Sequence, residues 1–146
     1  MAQKYYLEDL QVRQKFVSGR HQLDAEQIKA FARQFDPQPF HLDEAAGEAS
    51  FFGGLVASGW HTAAITMRLQ VAGGLPLADG LIGAGAEVAW PIPTRPGDVL
   101  EVESEILSVT PSRSRPERGM VSVLSRTRNQ HGEVVQRLVV KVVVPR

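Results

Sequence analysis

The stretch from Ser58 to Ala72 constrains this chain more than any other. Trp60, Ala63, Ala64, Ile65, Met67, Leu69 and Val71 leave almost no polar face, Ser58 or Gly59 can cap its start, and Gly73-Gly74 followed by Pro76 stops it. A helix that is apolar nearly all round has to be buried. One turn or so of surface contact cannot hide it, so the rest of the chain must wrap around it. At 146 residues, 43% hydrophobic and 22% charged, the chain is long enough to do so as one domain spanning 1–146.

The material for wrapping lies mostly behind the helix. From Leu81 the apolar period changes to that of strands, over Leu81–Trp90, Val99–Val109, Met120–Arg128 and Val134–Val144. Pro91, Pro93 and Pro96-Gly97-Asp98 turn the chain between the first two, and Asn129-Gln130-His131-Gly132 forms a hairpin between the last two. Phe16 to Leu23 has the composition of a further strand ahead of the helix. The expectation is an α+β fold, an antiparallel sheet curled around one central buried helix. Such a sheet has an open edge, which predicts a homodimer or a higher homo-oligomer.

Between the first strand and the central helix the reading is helical. Asp24 is placed as an N-cap, with Gln27 at capping-box spacing, and Ile28, Phe31, Ala32 and Phe35 form one apolar face. Asp36-Pro37 ends that helix, since the residue before a proline is pushed out of the α region. Pro37 to His41 is then a stiff, proline-bracketed excursion. Asp43 caps a short helix running to about Ala49, and Phe51-Phe52-Gly53-Gly54 breaks it.

Several function classes drop out. Cysteine is absent, so there is no disulfide framework, thiolate nucleophile or thiolate metal site. The four histidines, His21, His41, His61 and His131, are too dispersed for a helical metal pair, and no metal is expected. Ser58, His61 and Asp36 lack the Gly-x-Ser-x-Gly elbow of a serine hydrolase. There is no phosphate-binding glycine loop and no apolar run long enough to span a membrane. Met1 to Asp9 has no apolar stretch of a secretory signal, which points to the cytoplasm. Charge is uneven: residues 1–110 carry 8 Lys/Arg against 14 Asp/Glu, and residues 111–146 carry 8 against 2. Without interleaved aromatics or a nucleic-acid motif, that basic third suits an anionic small molecule better than nucleic acid; solvated strand faces would explain it equally well.

The sharpest local feature is Asp36-Pro37-Gln38-Pro39-Phe40-His41. It holds a carboxylate and an imidazole five positions apart on a segment stiffened by two prolines. Adding water across a double bond needs one group to take a proton from water and another to deliver a proton to the neighbouring carbon, and this pair can share those tasks. On spacing alone, an ordinary turn with a solvated His41 is the plainer reading.

The segment resembles the Asp-x-Asn-Pro-x-His signature of the MaoC-like hydratases, which include the (R)-specific enoyl-CoA hydratases. Phe35, Asp36, Pro39 and His41 fall in register, with Gln38 where the family usually has Asn. Phe52-Gly53-Gly54-Leu55-Val56-Ala57-Ser58-Gly59 is similar to the family's approach to its central helix, with Ser58 where His is common. Trp90 through Asp98, Ser112 to Pro116 and Asn129 to Glu133 are similar too, so the likeness runs along nearly the whole chain. It implies a hotdog fold and reversible hydration of an enoyl-CoA to a 3-hydroxyacyl-CoA, with Asp36 and His41 as acid–base pair. It also implies amides near Gly59 and Trp60 that receive the thioester oxygen, since a helix N-terminus offers free N–H groups and a positive dipole end. Gln38, Phe40, Ser58 and Thr62 are expected around the substrate, although Thr62 also suits a buried hydroxyl bonded to a helix carbonyl. Coenzyme A would enter only as part of the substrate. Its phosphates suit Arg113, Arg115 or Arg118, from this or a neighbouring subunit, unless that loop is simply solvated. A hotdog thioesterase and a non-catalytic acyl-thioester-binding subunit are the alternatives. The absence of Asp and Glu between Ser58 and Ala72 speaks against the former, and the intact Asp36 and His41 against the latter.

Overall fold

The computed structural model describes residues 3–146; Met1 and Ala2, where the segment read for a secretory signal begins, lie outside the described residues. Five strands form one antiparallel sheet: β1 (Lys15–Gln22), β2 (Ile82–Ala89), β3 (Val99–Pro111), β4 (Arg118–Arg128) and β5 (Val134–Pro145), in the order β1-β3-β4-β5-β2. Four helices lie between β1 and β2: α1 (Ala25–Phe35), α2 (Pro39–Leu42), α3 (Glu44–Glu48) and α4 (Gly59–Leu69). α4 packs against β1, β3 and β5, so the sheet curls around it as expected, in the hotdog arrangement. After Leu69 it widens into one further turn, Gln70–Gly74, which Gly73 ends at φ 127°.

Two apolar clusters fill the concave side of the sheet. Leu23, Ile28, Leu55, Ile65, Leu100, Val102 and Val135 pack under the N-terminal part of α4. Leu7, Leu10, Leu77, Ile106, Val121, Val123 and Val144 close the other end. A fully buried Leu or Ile of this kind contributes about 1.5–3 kcal/mol. Between the clusters runs a belt of buried polar side chains. Gln70 donates to Ser104 (3.1 Å) and Ser125 (2.7 Å), and Thr66 meets Thr127 (2.6 Å) and Gln136 (3.0 Å). Each is satisfied by another, which is what makes burial tolerable.

The central helix departs from expectation on one side. Its buried residues are His61, Thr62, Ile65, Thr66 and Leu69, whereas Trp60 (60% exposed), Met67 (43%) and Val71 (64%) form an exposed apolar stripe. These residues recur at seven and eleven positions from Trp60, so they share one face, which the described residues leave largely exposed. The capping box of α1 is half made. Asp24 accepts from the Gln27 amide, but the Gln27 side chain turns instead to His21 and the Gln22 carbonyl. The Pro37–His41 excursion contains the first turns of α2, with Pro39 at its first position, where the missing N–H costs nothing.

Part of the uneven charge is paired. Arg126 pairs with Glu103 and Glu105 of β3, Arg128 with Glu103, and Arg146 with Glu8.

Candidate active site

α1 ends at Phe35, leaving Asp36 as its C-cap, and two residues later Gln38 begins the approach to α2. The turn between them brings three side chains together. Gln38 Nε2 donates to Asp36 Oδ1 at 2.6 Å, so the glutamine standing where the resemblance has Asn clamps the carboxylate. His41 Nε2 faces Asp36 Oδ2 at 3.3 Å. His41 is 5% exposed, and its Nδ1 lies 2.6 Å from the Val56 carbonyl. A carbonyl only accepts, so Nδ1 carries a hydrogen, and Nε2 is the ring atom that faces Asp36. An imidazole nitrogen and a carboxylate oxygen thus meet at the cavity wall, both within reach of a proton on a group bound there.

The second half of the site is the start of α4. Ser58 caps it, its hydroxyl accepting from the Trp60 amide (3.2 Å) and donating to Asp36. Burial pushes the Asp36 carboxyl up, but the hydrogen bonds from Ser58 and Gln38 and the His41 ring outweigh it and hold the group below the usual carboxylate range. Asp36 is thus anionic at neutral pH. Ser58→Ala removes one of the lowering hydrogen bonds. If Asp36 must be ionised to work, the acid limb of the kcat/KM profile should move to higher pH in that variant, with the alkaline limb unchanged.

Of the two amides named from the sequence, that of Trp60 is committed to Ser58, whereas that of Gly59 has no partner among the described residues. Gly59 is glycine for a packing reason as well: a Cβ there would lie 2.5 Å from the Trp90 ring. Trp90 meets Trp60 edge-on with centroids 5.1 Å apart, and its Nε1 donates to Gln136 at 2.9 Å.

Asp36, Gln38, Phe40, His41, Ser58, Gly59, Trp60 and Thr62 all line one cavity of about 470 Å³. Trp90, Ile92, Thr94 and Val135 are among its other lining residues; the sequence reading did not place these at the site. Thr62 bonds Thr94 Oγ1 (3.0 Å) rather than a helix carbonyl; that role falls to Thr66. Met67 is not among the cavity residues.

Arg113 and Arg115 are not brought to this cavity. They sit in the exposed turn after Pro111, and the cavity lies near Val99, at the other end of β3. Thirteen strand residues span about 40 Å. Their own subunit's site is out of reach, and only a second copy could present them. His61 is also apart: it stacks on Phe31 (4.5 Å, 2°), its Nδ1 is buried without a partner, and burial, with the nearby His21, lowers its pKa to about 4. Among the described residues no three His, Asp or Glu side chains converge as metal ligands, and no helix is long and apolar enough to cross a membrane.

This geometry coincides with a match of residues 9–128 to the MaoC like domain. The chain belongs to the MaoC-like family. A MaoC-like dehydratase from Rhodospirillum rubrum is 64% identical and superimposes with a TM-score of 0.96, covering 97% of each chain. The (R)-hydratase PhaJ1 from Pseudomonas aeruginosa is 28% identical with a TM-score of 0.80, over 99% of this chain and 88% of that one. The uncharacterized protein YdeM of Bacillus subtilis (strain 168) is 34% identical over 127 residues, 85% of this chain and 87% of that protein. MaoC-like membership supports a hydratase or dehydratase role.

Proposed function

We propose that this protein is a hydro-lyase that adds water reversibly across the C=C bond of an enoyl-CoA, giving a 3-hydroxyacyl-CoA. The observation that carries the reading is the convergence of His41 Nε2 and Asp36 Oδ2 on one point of a cavity that also contains the unpartnered Gly59 amide. In this mechanism the paired acceptors hold water with an oxygen lone pair free. That oxygen bonds to the β-carbon, the π electrons move toward the thioester carbonyl, and the developing oxyanion is received by the Gly59 N–H at the positive end of α4. The proton taken from water is returned to the α-carbon, so hydroxyl and hydrogen add in balance. Dehydration is the same path reversed. The test is a panel of enoyl-CoAs followed in two channels, loss of the conjugated chromophore and release of free thiol. Loss without thiol supports hydration; thiol release in step with turnover contradicts it.

The partner in this reading is a second copy of the chain. β2 is an edge strand paired only with β5, exposed along nearly all its length, and its sequence Ile82-Gly83-Ala84-Gly85-Ala86-Glu87-Val88-Ala89 carries a single charge. An uncovered apolar edge of this kind invites pairing. In this reading the partner copy paired along β2 is also what covers the exposed stripe of Trp60, Met67 and Val71. Sedimentation should give the mass of a dimer for the wild type and a shift toward the monomer for Met67→Glu; a monomeric wild type would refute this arrangement.

A further inference from the structure

Apart from Ser18 and Ser58, the buried hydroxyls among the described residues fall into two groups. Those around Thr66 and Gln70 satisfy one another and do not line the candidate active-site cavity. Thr62 and Thr94 differ: they are 1% and 3% exposed, both line the catalytic cavity, and their only side-chain hydrogen bond among the described residues is to each other. Two hydroxyls carry two hydrogens, and one bond between them uses one. One O–H therefore remains uncommitted, and the Thr62 backbone carbonyl, already taken by Thr66, does not use it. An unmade bond at a buried donor is costly, and a ligand atom in the cavity is what can make it.

The surroundings say what kind of atom. No Lys or Arg lines the cavity, and Asp36 makes it anionic, so a carboxylate there would be buried without a counter-charge. The wall above is fixed and apolar, since Trp90 is tied through Gln136, itself fully buried, to Thr66. We propose that Thr62 and Thr94 form a polar floor that recognises a neutral oxygen, a hydroxyl or a keto group, on the acyl chain of the substrate, beyond the reacting double bond. This rests on the hydratase reading and narrows it from enoyl thioesters at large to those carrying such an oxygen.

The test uses pairs of esters matched in shape: 4-hydroxybut-2-enoyl-CoA against pent-2-enoyl-CoA, and 5-hydroxypent-2-enoyl-CoA against hex-2-enoyl-CoA. For at least one pair the wild type should prefer the hydroxylated member by about tenfold in kcat/KM, the scale of one neutral hydrogen bond. The double variant Thr62→Val, Thr94→Val removes both hydroxyls without orphaning either and should bring that ratio to about one. Because the readout is a ratio within a pair, a general loss of activity cancels. Equal turnover of both members by the wild type, or a ratio unchanged in the variant, overturns the polar floor and leaves the hydratase reading standing. Failure to hydrate any of the four esters overturns both.

Discussion

Asp36→Asn and His41→Ala should each keep the wild-type fold and each lose hydratase activity by a factor of ~10²–10⁴, the usual cost of removing one member of an acid–base pair. Asp36→Asn keeps the shape of the side chain and the acceptor for Gln38, but puts an N–H where the proposed mechanism needs Oδ2 to accept. His41→Ala removes the Nε2 lone pair and leaves the Val56 carbonyl without its donor. In the proposed mechanism the two groups act on one water, so the double variant should fall little below the worse single one; multiplying losses would mean that the residues work independently. Circular dichroism and thermal melts separate chemistry from folding. Near wild-type turnover in either single variant would remove Asp36 and His41 from the mechanism.

Gly59→Ala should damage the protein twice over. The new methyl group lies 2.5–2.8 Å from three atoms of the Trp90 ring, and that ring is tied to Gln136. Overpacking of this kind costs about 1–3 kcal/mol, which in a chain of this size lowers the melting temperature by several degrees. The same displacement moves the free amide away from the thioester oxygen, and losing one such donor typically costs ~10²–10³ in kcat. Trp90→Leu makes room for the methyl group. Combined with Gly59→Ala it should restore much of the lost stability, measured by thermal unfolding, whereas an additive pair of losses would show that the contact with Trp90 is not the cause.

The fold was legible because its two signals are strong and local. An apolar helix at Ser58–Ala72 followed by four alternating strands admits few solutions. Less legible was which side of that helix would be buried. The pattern shows apolar residues all round, yet the sheet takes Thr66 and Gln70, because Ser104, Ser125, Thr127 and Gln136 on the facing strands offer them partners. Those polar residues do interrupt the strands in the sequence, but nothing local says that they will meet. The catalytic turn was readable through Asp36, Pro39 and His41 as a resemblance; from spacing alone it remained an ordinary turn. Trp90 and Thr94 passed as parts of a proline-rich connection, since only the folded chain carries that connection over the start of α4. The Arg113–Arg118 loop shows the converse limit: composition suggests a phosphate grip, while β3 places the loop at the wrong end of its own subunit.

The central claim is that water adds to carbon and does not cleave the thioester. Turnover of an enoyl-CoA in H₂¹⁸O tests this directly, with mass analysis of the products. The account predicts ¹⁸O in the 3-hydroxyl group of an intact 3-hydroxyacyl-CoA, and no label in a carboxylate. Label in a free acid, with coenzyme A released, would contradict it.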